Sequence, residues 1–532
     1  MSLARNVFVQ SGLTLASRVL GFVRDLALNA RFGGQGPLMD AWATAQMLPN
    51  LFRRLFAEGA FAQAFVPVFA HERATAGPES AETMASQVLA FVMAVVVLFT
   101  ILAEVALPFL MPMLLSAYAD DTRSLEMATL MAQLAMPYLA CMTLASLLSG
   151  VLNTLGRFAL SAGAPVLLNL CTIAPLVLIG DAEAAALFAS GAVTIAGILQ
   201  AGLLWWGVRR LGVRLAIVLP ALTTVVRRVV VLAVPGAIAG GAMQVNSLVS
   251  QILSGSDEGA RGVLYNADRL YQLPLGLIGV AVGAALVPRL SSLFARSDTA
   301  GAQRTMDDGI ALAMAFTIPA ALALLVMPFL IIDGAVTRGA FTSDDARRTA
   351  EVLRHFAWGI PAFVLAKVLT PPFFARQKTG RPMQFAIATV VANTIIGSAL
   401  WFWLPTVGID GAIGLAIGTS LAGWFNVALL SGALAFGGVY RPGAHLIGRL
   451  VRLSAASIVM AAVLAVCAAR YHDITDVLGS KEATLAVVAL GGFGVFAGLA
   501  LALRAVSLAE IRGALRREPR SSASALPRGG ED

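Results

Sequence analysis

Charge is what this sequence has little of. Only 13% of its 532 residues are Asp, Glu, Lys or Arg, against 58% hydrophobic, and mean hydropathy is +0.81. That balance excludes a water-soluble globule, where charged residues make up about 25%. No nucleic-acid partner is expected. Lysine is nearly missing, with three in the chain, Lys367, Lys378 and Lys481, and so is cysteine, with Cys141, Cys171 and Cys467 standing singly in apolar stretches and reading as small core residues. The four histidines, His71, His355, His445 and His472, are scattered, so no metal site is expected. No P-loop, H-E-x-x-H or G-x-S-x-G occurs, the acids form no catalytic cluster, and Gly492-Phe493-Gly494 lies in an apolar run that suits packing. Neither an enzyme nor a cofactor is expected.

What the sequence has is long apolar runs. A bilayer core needs about 20 apolar residues per helix, and candidates fall in 7–30, 41–70, 85–115, 125–152, 160–180, 184–208, 228–253, 263–294, 305–332, 347–375, 382–404, 411–435, 446–469 and 483–506. The expectation is an all-α integral membrane protein with about fourteen transmembrane helices. Arg18 and Arg24 interrupt the first run, which is therefore expected to stay as a helix and not to leave as a signal peptide. Arginines 209, 210, 214, 227, 228, 289, 296, 304, 376, 381, 441, 449 and 452 fall on one side of the helix count, and Asp120, Asp121, Asp181, Glu183, Asp257, Glu258 and Asp410 on the other. Basic loops stay inside, so both termini are expected in the cytoplasm. The exception is the stretch around Arg338, Arg347 and Arg348, diluted by Asp333, Asp344 and Asp345.

The chain repeats itself. Ala64-Phe65-Val66-Pro67 matches Ala285-Leu286-Val287-Pro288, and Pro137 with Gly156-Arg157 matches Pro361 with Gly380-Arg381, at offsets of roughly 220 residues. An offset of an even number of helices keeps both copies in one orientation, which predicts two parallel lobes with a site between them. The lobes would be residues 1–215 and 222–440, followed by two added helices over 441–510 and a disordered cytoplasmic tail over 511–532. Gly236/Gly240, Gly279/Gly283 and Gly414/Gly418, each pair spaced as G-x-x-x-G, offer faces for close helix packing. Trp205-Trp206 before Arg209-Arg210 suits a membrane interface.

The informative charges lie inside the first two runs: Arg18, Arg24, Asp25, Asp40, Arg53, Arg54 and Glu58. A charge at mid-bilayer costs about 2.5–3.5 kcal/mol, so such residues face a bundle interior or a wet cavity. Arg18 and Asp25 share a helix face about 10 Å apart, with Arg24 pointing elsewhere. Arg54 and Glu58 can pair at i, i+4, which leaves Arg53 for a ligand. Pro49 precedes Asn50 and can bend the second helix. The second half adds Asp268-Arg269 and Lys367, the latter open between ligand contact and pairing with a neighbour. An ion-pair network between helices would also hold these arginines, but they outnumber the acids beside them. Converging guanidinium groups suit a phosphate or diphosphate, and the apolar surroundings suit a lipid tail on the same ligand.

At these residues the sequence resembles the MurJ (MviN) family of lipid II flippases, within the multidrug/oligosaccharidyl-lipid/polysaccharide exporter superfamily. The resemblance rests on Ala16-Ser17-Arg18-Val19-Leu20-Gly21-Phe22-Val23-Arg24-Asp25, on the run from Leu48-Pro49-Asn50 through Arg53-Arg54 to Glu58-Gly59-Ala60-Phe61, and on Tyr265-Asn266-Ala267-Asp268-Arg269-Leu270. It implies two lobes of about six helices each around a cationic cavity, with the last two helices forming a groove for the lipid tail. Carried over by position, it implies Arg18, Arg24, Arg53 and Arg269 as substrate-binding residues. Ser17, Asp25, Asp40, Asn50, Glu58 and Asp268 would support them, with Lys367 a further cavity residue on its own reading. The implied substrate is lipid II, the undecaprenyl-diphosphate-linked peptidoglycan precursor, moved by a monomer from the cytoplasmic to the periplasmic leaflet of the inner membrane. Gln272 stands where many relatives have an acid, and Lys378 where some have an Asp near a bound cation, so sodium coupling is not expected and the coupling ion stays open, with membrane potential a possible drive. The alternatives are export of another polyprenyl-linked oligosaccharide, drug/cation antiport, and a regulatory membrane scaffold.

Overall fold

In a computed structural model, the backbone is described for residues 3–56, 60–376, 378 and 380–506, and the side chains for these except 3–9, 11, 52–56, 60–63, 234–243, 245–246, 276–285 and 288. No strand occurs among the described residues. The helices are α1 (Leu3–Phe32), α2 (Pro37–Phe56), α3 (Ala60–Thr75), α4 (Pro78–Leu114), α5 (Thr122–Ala135), α6 (Tyr138–Thr154), α7 (Phe158–Leu178), α8 (Ala182–Arg210), α9 (Thr224–Ser254), α10 (Ala260–Ala295), α11 (Thr299–Val326), α12 (Pro328–Ala335), α13 (Ser343–Ala357), α14 (Ile360–Leu369), α15 (Pro371–Ala375), α16 (Gly380–Trp403), α17 (Gly411–Phe436), α18 (Ala444–Ala469), α19 (Tyr471–Leu478) and α20 (Lys481–Ala502).

Helix occupies every expected apolar segment, and ten stretches among the described residues are long and apolar enough to cross a membrane. The remaining segments are filled by α1, by α2 and α3 on either side of residues 57–59, by α9 and by α10. Several segments expected as single helices are interrupted at Pro137, Pro328, Pro361 and Pro371, where the missing N–H breaks the ladder. Pro49 sits inside α2 without ending it. Exposed apolar side chains such as Phe109, Leu178 and Phe493 are too many for a surface in water and suit hydrocarbon. The protein is a multi-pass membrane protein.

The acids of the short loops serve as helix caps. Asp121, Asp181, Asp298 and Asp410 accept the N–H of Ser124, Ala184, Gly301 and Ala412 at the starts of α5, α8, α11 and α17. Each such cap contributes about 1 kcal/mol. Thr342 and Asp345 form a reciprocal capping box at α13. Gly414 and Gly418 let α17 lie against α16, since a Cβ on either would come within 2.7 Å of the Leu400 or Gly397 backbone. The packing contacts at Gly236, Gly240, Gly279 and Gly283 lie outside what is described. Arg209 and Arg210 stack over the rings of Trp205 and Trp206 at 5.6 and 5.1 Å.

Three apolar clusters hold the bundle. The first draws on residues from Leu28 to Ala233, so the first turns of α9 (Val226, Val229 and Ala233) pack with the first half of the chain. The second runs from Ala260 to Leu446, with Phe22 and Leu26 of α1 packed against it. The third joins α18 and α20 to α11 and α12.

One polar cluster fastens those last helices. Asp333, 3% exposed just beyond the apolar stretch of α11, accepts from Tyr471 Oη at 2.7 Å, Lys481 Nζ at 3.0 Å and Ser343 Oγ at 3.2 Å. Burial alone would raise its pKa, but the bonds from Tyr471 and Lys481 outweigh it and hold the carboxyl below its usual 3.8. A depressed carboxylate stabilises the fold above its unfolded pKa and loses that contribution as pH falls through the folded value. Tyr471→Phe is expected to lower stability by about 1–2 kcal/mol at pH 7. Thermal unfolding in detergent at pH 7 and pH 3 checks it, because the difference between variant and wild type should shrink at the lower pH.

Candidate anion-binding cavity

Two cavities meet at α1 and α10. One, of about 520 Å³, lies between α1, α10, α12 and α13 and is lined by Arg18, Arg24, Asp25, Asn266, Arg269 and Gln272 among apolar neighbours including Leu15 and Val19. The other, of about 300 Å³, opens among α1, α2, α6, α7, α8 and α10 and is lined by Ser17, Arg24, Trp42, Gln46, Asn50, Asn169, Gln200, Tyr265 and Arg269. Arg24 and Arg269 border both.

Asp25 holds the two arginines together. Its Oδ1 accepts from Arg24 Nη2 at 2.8 Å and Nε at 3.1 Å, and its Oδ2 lies 3.8 Å from Arg269 Nε. Helix geometry alone points Arg24 away from Asp25, but the arginine's long arm folds back to its sequence neighbour. Arg269 lies 4.9 Å above the Tyr265 ring and donates to its hydroxyl at 3.4 Å. Among the described residues, Asp25 is the single carboxylate lining the larger cavity, and none lines the smaller. In the smaller cavity, Trp42 Nε1, Gln46 Nε2 and Gln200 Nε2 are buried donors with no hydrogen-bond partner among the described residues. This interior offers guanidinium and N–H donors to an anionic, acceptor-rich ligand.

The other expected site residues fall as follows. Arg18 lines the larger cavity within electrostatic reach of Lys367 on α14. Ser17 lines the smaller cavity, and its carbonyl accepts from Asn169 Nδ2 at 2.9 Å. Asn50 also lines it and donates to the Gln46 carbonyl at 2.8 Å. Asp268 accepts from Gln272. The Arg53 and Arg54 side chains, and all of Glu58, lie outside the described residues. Among the described residues no group of His, Cys, Asp and Glu has metal-ligand geometry.

Asp40 was expected to support the cavity and instead lies elsewhere. It is fully buried at the first turn of α2, where its carboxylate accepts the backbone N–H of Gly259 at 2.8 Å and of Gly262 at 2.7 Å, and the Tyr118 hydroxyl at 3.0 Å. It therefore caps the start of α10 from the opposite half of the chain. Gly262 permits this approach, since a Cβ there would lie 2.6 Å from the Gly34 carbonyl oxygen. Nearby, Ala340 N–H donates to Ala30 O at 2.8 Å. Arg348 binds Asp410 and Asp257 at 2.6 Å each, and Gln35 Oε1 at 3.2 Å. Ala30, Gln35, Asp40 and Tyr118 thus meet Gly259, Gly262, Ala340 and Arg348 along one hydrogen-bonded seam. Sequence reading missed Tyr118, Arg348 and the buried Arg261 beside them. Arg348 had stood out as a basic residue on the acidic side, and its two acid partners explain it.

A helical bundle with an arginine-walled interior and a seam joining its halves has the fold of transporters of the multidrug/oligosaccharidyl-lipid/polysaccharide exporter (MOP) superfamily. A solved inward-facing multidrug transporter of the MATE family in that superfamily superposes with a TM-score of 0.64 at 14% identity, covering 81% of this chain and 98% of its own. Within that class the chain belongs to the family described as lipid II flippase MurJ, whose sequence profile matches residues 29–483. A probable lipid II flippase MurJ of Rhizobium meliloti (strain 1021) is 36% identical over 539 residues, covering 100% of this chain and 99% of the relative. The lipid II flippase MurJ of Burkholderia cenocepacia is 30% identical over 480 residues, covering 88% and 91%. A solved lipid II flippase MurJ in an inward closed conformation shares the fold with a TM-score of 0.76 at 22% identity, covering 96% of this chain and 100% of its own.

Proposed function

We propose that the protein is a flippase, not an enzyme, that carries lipid II from the cytoplasmic to the periplasmic leaflet of the bacterial inner membrane for cell wall synthesis. Family membership supports the substrate, and the observation that carries the mechanism is the Arg24–Asp25–Arg269 cluster standing between two cavities. The diphosphate binds at these arginines with Arg18, while the donors around Trp42, Gln46 and Gln200 face the polar head group. The prenyl tail stays in lipid along α18 and α20. Lobes 1–215 and 222–440 rock about this site in a monomer, and the matching positions of Gly156-Arg157 before α7 and Gly380-Arg381 at α16 support that division.

With both termini cytoplasmic, the Asp40 seam lies at the periplasmic end and is closed while the substrate enters from the inside. Transit of net negative charge outward is favoured by an inside-negative potential, by about 2.3 kcal/mol per charge per 100 mV. Dissipating the potential at constant pH gradient is expected to slow outward movement, and an unchanged rate would remove potential as the drive. The function itself is tested by complementing cells depleted of their own lipid II flippase at matched membrane expression. Rescue by the wild-type chain is expected; failure of a well-expressed chain would redirect the substrate to another polyprenyl-linked sugar.

A further inference from the structure

Arg261 is the largest fully buried side chain among the described residues, 1% exposed in the first turn of α10. Its guanidinium donates to the Leu114 carbonyl at the end of α4 at 2.8 Å, to the Gln251 carbonyl in the last turn of α9, and to the Thr44 hydroxyl on α2. None of these partners is a carboxylate, and Nε has no partner among the described residues. Two of the three lie on the opposite half of the chain. Gly255 clears the path, since a Cβ there would lie 1.8 Å from the Leu114 oxygen and 2.6 Å from Arg261 Nη2.

A buried arginine held by neutral acceptors alone is costly unless something balances its charge. Two things do so here: the carbonyl ends of α4 and α9 carry partial negative charge, and the buried Asp40 carboxylate lies within electrostatic reach. Asp40 in turn sits on the positive start of α10. The buried part of the seam therefore holds two opposite charges, one from each half: Asp40 at the start of α10, and Arg261 against the ends of α4 and α9.

We propose that Arg261 is a positioning residue of the transport cycle. It balances the charge of the buried Asp40 carboxylate in the closed periplasmic seam, and so sets how much of the time that face is shut. Parting the halves takes Arg261 from Thr44 and Leu114 and Asp40 from Gly259 and Gly262 together, so both charges become hydrated in one step. Removing only Arg261 leaves Asp40 as an uncompensated buried charge in the closed state alone, which shifts the protein toward the open face.

The proposal rests on the alternating-access reading, but its test needs no lipid substrate. Gln35 and Glu258 meet across the seam, where Arg348 Nη1 donates to Gln35 Oε1 at 3.2 Å and to the Glu258 carbonyl at 2.7 Å. In full-length protein with its three native cysteines replaced, Gln35→Cys and Glu258→Cys should form a disulfide in membrane vesicles under mild oxidant, and its rate reports the closed face. Arg261→Met is expected to slow cross-linking by ~10-fold. Arg261→Lys should recover part of the rate, and Thr44→Val, which keeps the charge, should change it by less than ~3-fold. Arg261→Met combined with Asp40→Asn should cross-link faster than Arg261→Met alone, a rescue that a merely damaged fold would not give. Wild-type cross-linking in Arg261→Met, or a double variant no faster than the single one, would overturn the proposal. Failure of the chain to move lipid II with this pattern intact would sink the substrate and leave the seam.

Discussion

Arg269→Ala is expected to reduce lipid II translocation by ~10–100-fold at equal protein. Arg269 borders both cavities, and its own partners are loose, at 3.8 Å to Asp25 and 3.4 Å to Tyr265. Arg24 is by contrast held at 2.8 Å. The guanidinium of Arg269 is thus the one in the cluster best able to turn to an arriving phosphate. A hydrogen bond to a charged group contributes about 1.5–3 kcal/mol, which corresponds to the loss given above. Arg269→Lys keeps the charge and loses the planar fork, so it should fall between alanine and wild type. Translocation measured with purified variants in vesicles checks this, and a wild-type rate in Arg269→Ala would take the residue out of the site.

The second large effect belongs to Asp40. Asp40→Ala leaves two backbone N–H groups at the start of α10 and the Tyr118 hydroxyl without their acceptor, and leaves Arg261 buried without its opposite charge. Breaking a buried charged network by removing one partner costs about 3–5 kcal/mol, enough to move a two-state equilibrium by ~10²–10⁴-fold. The closed seam bears all of that loss. The cysteine pair at Gln35 and Glu258 should then hardly cross-link, and translocation should fall because the inside-open state is no longer held. Undiminished cross-linking in a folded Asp40→Ala protein would show that the seam is held elsewhere, with Arg348 the next anchor to remove.

These two residues mark where the sequence could be read and where it could not. The bilayer imposes a length on every spanning segment, so apolar runs placed the helices well, and Gly414 and Gly418 pack as their spacing implied. Arg18, Arg24 and Arg269 stood out because charge is conspicuous in an apolar run, and they line common space. Asp40 was conspicuous for the same reason, but two of its three partners lie more than two hundred residues away in sequence and are backbone N–H groups, which leave no trace in a side-chain pattern. Arg261 was harder still. It precedes the apolar stretch of α10 and reads there as one more loop charge, and only the meeting of the start of α10 with the ends of α4 and α9 and with Thr44 of α2 buries it. Arg24 shows a smaller limit: ideal helical angles separate it from Asp25, while a flexible arginine arm joins them.

The most direct test of the account is translocation of labelled lipid II by the purified chain in vesicles carrying an inside-negative potential. The account predicts movement that depends on the protein, quickens with the potential, and falls at least ~10-fold in Arg269→Ala. Equal movement by wild type and Arg269→Ala, or none by a folded wild type whose seam still cross-links, would contradict it.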